Sequence, residues 1–163
     1  MDRDARYWIT HLGLSPHPEG GHYREIYRSA GHIPRAALPD RYGGDRNYAT
    51  SIYYLLESGV PSRIHRLKSD EILVFHDGSP LEVVMIDGAG VVSRHLLGLR
   101  FERGEVPQAV IPAGIWFGAR VADERSFTLI GCVVAPGFVY PDLEMPGKEE
   151  LMELFPEHGE IIA

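Results

Sequence analysis

The stretch GVPSRIHRLKSDEILVFHDG, Gly59 to Gly78, decides how this chain folds. It predicts two short strands joined by a polar turn. Residues 62–67 form the first strand, Lys68-Ser69-Asp70 the turn, and residues 71–75 the second, stopped by Asp77-Gly78. Side chains alternate faces along a strand, so His65 and Leu67 share one face of the first strand. Glu71, Leu73 and Phe75 share a face of the second, so Leu67, Leu73 and Phe75 are expected in the core. With Glu71 turned inward, His65 and Glu71 make a polar pair among apolar neighbours, which is the geometry of a site.

Outward from this hairpin, strand signals continue to residue 134. Residues 48–56, 81–86, 91–97, 106–111, 115–121 and 127–134 read as strands with short turns between them. Many short strands punctuated by Gly and Pro indicate a sandwich or barrel. Pro61, Pro80, Pro107 and Pro112 fall at strand ends, where a missing amide donor matters least. Helices are expected only at the chain ends. One spans residues 4–12, with Gly13 as its stop and Tyr7, Trp8 and Leu12 on its packing side. The other spans residues 148–155, with Leu151, Leu154 and Phe155 as its stripe.

Between the first helix and the strands, residues 15–21 form a turn cluster with two prolines and a Gly-Gly pair. Such a loop can carry His17 or Glu19 to the mouth of a site, although a plain turn is the commoner use. Residues 22–29 alternate with two mixed faces, which suits an edge strand or a subunit interface. Residues 30–46 are polar and rich in Gly and Pro, and read as a long loop.

Composition narrows the function. The 163 residues suit one domain, 44% hydrophobic and 24% charged, as in ordinary globular proteins. We divide the domain into an N-terminal region (1–47), a strand-rich core (48–144) and a C-terminal helix and tail (145–163). A net charge of −7 argues against nucleic acid or an anionic membrane as partner. The single cysteine, Cys132, excludes an internal disulfide and reads as a small buried hydrophobe. No apolar run reaches the roughly 18 residues of a membrane helix, and the N-terminus lacks a secretory pattern. The expected location is cytoplasmic.

At Gly59, His65, Glu71 and Gly78 the chain resembles the cupins, whose first motif has this spacing with a second His two residues after the first. Leu67 stands at that second position. The second cupin motif is echoed in Pro112-Ala113-Gly114-Ile115-Trp116-Phe117, with Phe117 in place of its His. Leu14–Ser29, Thr50–Leu56, His65–Glu71, Pro107–Ala119 and Gly131–Glu144 together resemble one branch, the small uncharacterised cupins with an RmlC-like jelly roll. The resemblance implies an all-β fold, an antiparallel jelly roll with short terminal helices, and no particular reaction. It also implies a homodimer formed through an N-terminal region.

The site expected from the sequence has His65 and Glu71 as catalytic residues. Tyr53, Gln108, Trp116 and Tyr140 line a pocket, and Arg66, in a basic cluster with Arg63 and Lys68, anchors an anionic group of the ligand. Cupins hold a metal with two His and the Glu of the first motif and the His of the second. Two of those four positions are apolar here, so no metal and no other cofactor is expected. The alternative at that point is a weakly held divalent ion at His65 and Glu71. Three functions follow: a metal-independent epimerase or isomerase on a sugar-like or carbonyl compound, a non-catalytic small-molecule-binding module, and a metal-dependent oxygenase or isomerase. The first has His65 as base and Glu71 or a tyrosine as partner. The expected partners are a small molecule, sugar-like or bearing a carboxylate or phosphate, and a second copy of the chain.

Overall fold

The computed structural model describes residues 3–162. Helix α1 (Ala5–Leu12) begins at Asp4, whose side chain accepts a hydrogen bond from the Tyr7 amide at 2.7 Å. It ends at Gly13, whose φ of 61° takes the left-handed turn that a side chain would resist. Seven strands follow in the first half of the chain: β1 (Ser15–Pro16), β2 (His22–Arg28), β3 (His32–Ile33), β4 (Arg46–Asn47), β5 (Thr50–Glu57), β6 (Ser62–Leu67) and β7 (Asp70–Gly78). The second half contributes β8 (Leu81–Ile86), β9 (Val92–Leu97), β10 (Glu105–Val106), β11 (Gln108–Ile111), β12 (Trp116–Val121), β13 (Phe127–Ala135) and β14 (Leu143–Glu144). Helices α2 (Lys148–Leu154) and α3 (Gly159–Ile162) close the described chain.

The strands make two six-stranded sheets, ordered β1-β2-β5-β13-β7-β11 and β10-β9-β8-β12-β6-β14, with β3 and β4 as a separate ribbon. Pairing is antiparallel except between β9 and β10. The inner faces pack together around Leu56, Leu73, Ile130 and Cys132 from one sheet and Leu81, Val83, Leu97 and Phe117 from the other. This is the sandwich the strand pattern predicted, with the jelly-roll form the resemblance implied. Alternation decides what lies inside. On β5, Ile52, Tyr54 and Leu56 point inward, whereas Tyr53 and Leu55 pack outward against Trp8, Ile9 and Leu12 of α1. Both faces of β5 are therefore covered, which is why its sequence is almost continuously apolar. Helix α2 covers the outer face of the second sheet, with Leu151 and Phe155 against Ile86 and Trp116.

Four expectations change. Residues 106–111 are not one strand: β10 joins β9 in one sheet and β11 joins β7 in the other. The chain crosses at Pro107, which has no amide to place in a ladder, while its carbonyl accepts from Phe75. Residues 30–46 form an anchored segment, not an open loop. Leu38 and Tyr42 are buried in it, and Arg46 makes a buried two-pronged ion pair with Asp142 at 2.6 Å. Phe75 is only half-buried, because a register shift between β7 and β13 falls beside it and loosens its packing. Leu154 is exposed and lies outside the stripe of α2. Among the described residues no helix is long and apolar enough to cross a membrane.

Candidate functional site

A cavity of about 380 Å³ lies between the sheets. Its walls are largely aliphatic, from Ile52, Leu67, Leu73, Leu81, Ile130 and Val134. Its polar groups gather at His17, Glu19, Ser62, His65 and Glu71. That distribution suits a small ligand with an apolar body and a few oriented polar contacts.

Glu19 reaches this cluster from the loop between β1 and β2. Gly20 and Gly21, at φ 110° and 69°, let that loop press onto β5 and the chain entering β6. A Cβ at Gly21 would collide with the Leu55 carbonyl, and one at Gly20 would lie 2.8 Å from the Pro61 carbonyl. The loop is then tied down. Tyr54 donates its hydroxyl to the Gly20 carbonyl at 2.8 Å, and the Arg63 amide donates to the Glu19 carbonyl at 2.9 Å. Glu19 thus lies buried beside His65, with Oε1 at 3.4 Å from Nε2.

The hydrogen bonds assign the imidazole protons. His65 Nδ1 is 2.7 Å from the Arg63 carbonyl, which can only accept, so Nδ1 carries the hydrogen. Nε2 is then a bare lone pair turned toward Glu19. His17 Nδ1 accepts from the Glu19 amide at 3.2 Å, so its hydrogen is on Nε2. Burial lowers both imidazoles to about 4, aided at His65 by the neighbouring His17 and opposed there by the Arg63 carbonyl. Burial also raises Glu19 to about 8, together with the charge of Glu71 and against the Ser62 hydroxyl. Glu71 rises to about 7, again through burial, which the Cys132 thiol beside it partly offsets. The cluster is therefore two neutral imidazoles and two carboxyls that hold protons near neutrality. Glu71 Oε2 is buried with no hydrogen-bond partner among the described residues.

Residues 6–146 match the model of a family described as Cupin superfamily (DUF985). The chain belongs to this family. It is 30% identical over 157 residues to the uncharacterized protein YML079W of Saccharomyces cerevisiae, covering 90% of this chain and 77% of that one. The structure of a hypothetical protein from Leishmania major is similar at 38% identity and a TM-score of 0.88, covering 98% of this chain and 96% of that one. Protein SO0799 from Shewanella oneidensis is similar at 36% identity and a TM-score of 0.89, over 99% and 96% of the two chains. Oxalate decarboxylase from Bacillus subtilis shares the fold at 18% identity and a TM-score of 0.56, with 90% of this chain on 35% of that one.

As a cupin, the chain raises the question of a metal. Phe117 sits directly across from His65 in the β6–β12 pairing, and their rings are 4.1 Å apart. Leu67 follows His65 on the same inward face. Two of the four positions that hold a metal in other cupins thus present carbon, and His65 Nε2 already faces Glu19. No cluster of three or more His, Cys, Asp or Glu side chains among the described residues could hold an ion. The residues present do not fit a four-ligand metal centre.

The structure brings only part of the expected site together. His65, Glu71 and Tyr140 line the cavity, Tyr140 at its lip, where its hydroxyl is 3.2 Å from that of Tyr23. His65 and Glu71 do not pair as expected, since Glu19 takes the imidazole. Tyr53 packs on α1, because the inward parity of β5 belongs to Tyr54. Trp116 lies outside for the same reason, one residue out of phase with Phe117, under α2. Arg66 stacks over the Trp116 ring at 4.4 Å and pairs with Glu144, away from the cavity. Gln108 is exposed on the edge strand β11. Of the rest of the basic cluster, Arg63 is exposed and Lys68 lies 4.0 Å from Asp142, and neither lines the cavity. Ser62, Tyr54 and Cys132 are the unexpected members. Pairing with Leu73 in β7 accounts for Cys132, whereas Ser62, out of phase with His65, turns inward only through the register shift between β6 and β12, which strand parity could not have found.

Proposed function

We propose that the cavity binds a small molecule carrying a carbonyl group and moves a proton on it without a metal, as an isomerase or epimerase does. The observation that carries this reading is Glu71, which lines an apolar cavity and whose Oε2 is buried with no hydrogen-bond partner among the described residues. Leaving such a group unsatisfied costs about 1–3 kcal/mol, a cost a ligand can remove.

Glu71 is the base in this reading, in place of His65. A base works best with a pKa near the working pH, and burial puts Glu71 there, at about 7. His65, at about 4 and turned to Glu19, is too weak a base at neutral pH. Glu71 takes the proton from the carbon next to the carbonyl, and the bond electrons move onto the carbonyl oxygen as an enolate. Glu19, protonated at neutral pH, supplies the proton to that oxygen, and the neutral His65 positions it. Glu71 then delivers its proton to carbon as an enol hydroxyl returns one to Glu19, which re-forms a carbonyl, restores both carboxyls and completes the isomerisation.

The test is deuterium uptake from D2O at the carbon next to the carbonyl, followed by proton NMR over a panel of small aldoses, ketoses and hydroxyketones. Uptake catalysed by the chelator-treated protein, and lowered about 10²-fold or more by Glu71→Gln, is the expected result. Ligands that bind with no uptake in any case would make the cupin a binding module. Uptake that chelator abolishes would make it a metal enzyme.

A further inference from the structure

The hydrogen-bonding groups at the polar end of the cavity are mostly acceptors. Glu19 and Glu71 bring four carboxyl oxygens, one of them buried without a partner among the described residues, and the lone pair of His65 Nε2 faces Glu19. Two donors nearby are committed elsewhere. His65 Nδ1–H goes to the Arg63 carbonyl and the Tyr54 hydroxyl to the Gly20 carbonyl. Among the described residues the only lysine or arginine lining the cavity is Arg28, and it is occupied. Its Nε and Nη2 go to the two oxygens of Glu25 at 3.0 and 2.7 Å, and its Nη1 to Asn47 Oδ1 and the Phe138 carbonyl at 2.9 and 3.1 Å. What remains to donate inward is neutral: the His17 Nε2–H, the Ser62 and Thr50 hydroxyls, the Cys132 thiol, whatever protons the carboxyls hold and, at the lip, the paired hydroxyls of Tyr23 and Tyr140.

We infer that this end of the cavity recognises a hydrogen-bond-donating head group, a hydroxyl or a protonated amine, and rejects carboxylates and phosphates. An anion there would face carboxyl oxygens in an apolar enclosure with no cation to pair with, and desolvating it would go uncompensated. A hydroxyl satisfies Glu71 Oε2 directly, and an ammonium also brings the positive charge the cluster lacks. Resting on the proton-transfer reading, this narrows the substrate class to neutral hydroxy-carbonyl or cationic amino-carbonyl compounds. It removes keto acids and sugar phosphates. It also withdraws Arg66 as an anion anchor, since that side chain is bound to Glu144 outside the cavity.

The test is a series with one body and three heads: benzyl alcohol, benzylamine and benzoate, titrated by calorimetry and by chemical-shift mapping at pH 8. Benzyl alcohol and benzylamine should bind with shifts at cavity residues, and benzoate at least tenfold more weakly. Glu71→Gln, which replaces an acceptor oxygen by a donor, should weaken benzylamine about tenfold or more and narrow the gap to benzoate. Arg66→Gln, outside the cavity, should leave the order unchanged. Benzoate binding as tightly as the other two, or none of the three binding, overturns the inference. Deuterium uptake on carboxylate or phosphate substrates would do the same while leaving proton transfer itself standing.

Discussion

Glu19 Oε1 lies 3.4 Å from His65 Nε2, while the other nitrogen of the same ring is held by the Arg63 carbonyl. The imidazole is thereby fixed as the Nδ1–H tautomer, facing a carboxyl that keeps its proton. Nitrogen–proton correlation NMR should show His65 neutral, with Nε2 unprotonated, from pH 8 down to about 5. An imidazolium at pH 7 would contradict this arrangement. Glu19→Gln should preserve the tautomer, because the amide N–H can also donate to Nε2.

Stability should depend on pH in two opposed ways. His17 and His65 sit at about 4 in the folded protein against 6.5 unfolded, so between these values the unfolded chain binds more protons and stability rises with pH. Glu71 and Glu19 sit at about 7 and 8 against 4.5, so the folded chain binds more protons and stability falls as pH rises from 4.5 to about 8. From 4.5 to 6.5 the two effects oppose each other. Above 6.5 only the carboxyls act. Denaturant midpoints should therefore decline from pH 6.5 to 8, and Glu71→Gln should flatten that decline. A midpoint that rises over this range would refute the assignment.

The register predicts how a metal site could be rebuilt. Phe117 is paired across from His65 and Leu67 is two residues along on the same face, so Leu67→His with Phe117→His places three imidazoles near Glu71. The double variant should bind one zinc or nickel ion per chain by calorimetry and melt higher with metal present. The parent should bind either ion at least 100-fold more weakly. Stoichiometric metal in the parent, lost on His65→Ala, would refute the metal-independent reading.

Core energetics should follow burial. Leu73 is 2% exposed at the centre of the main cluster, so Leu73→Ala should cost about 2–5 kcal/mol in denaturant unfolding. Phe75, half-buried beside the register shift, should cost less on truncation despite its larger side chain. The reverse order would mean that Phe75 carries the core.

Pairing of two copies along β2 is the assembly we propose. Strand β1 covers β2 only at His22 and Tyr23, leaving the rest of that edge open with Ile26 and Tyr27 about half exposed. An open edge of this kind invites another strand. Sedimentation should give a dimer at micromolar concentration, and Ile26→Lys with Tyr27→Lys should give monomer. A monomer in the parent protein rejects the proposal.

The sequence by itself was sufficient for the class of fold and for the inward facing of His65 and Glu71. Alternation along residues 62–67 and 71–75 is a local property of each strand, so it put His65, Leu67, Glu71 and Leu73 on the faces they occupy. The stop at Gly13 is local too and ended α1 where the structure ends it, while Asp4, read as the first helical residue, is the cap before it. Tertiary structure decided everything that depends on which elements meet. Tyr53 and Tyr54 are indistinguishable as neighbours in a run apolar on both sides, and only packing on α1 assigns Tyr53 outward. The same holds for Trp116 and Phe117. Pro107 could be read as a strand end, but not as the point where the chain passes from one sheet to the other. Above all, Glu19 and His65 stand 46 residues apart in sequence and meet only because Gly20 and Gly21 let a loop press against β5. Long-range contact of this kind is set by the closing of the barrel, and with it the protonation of the cluster and the chemistry proposed for it.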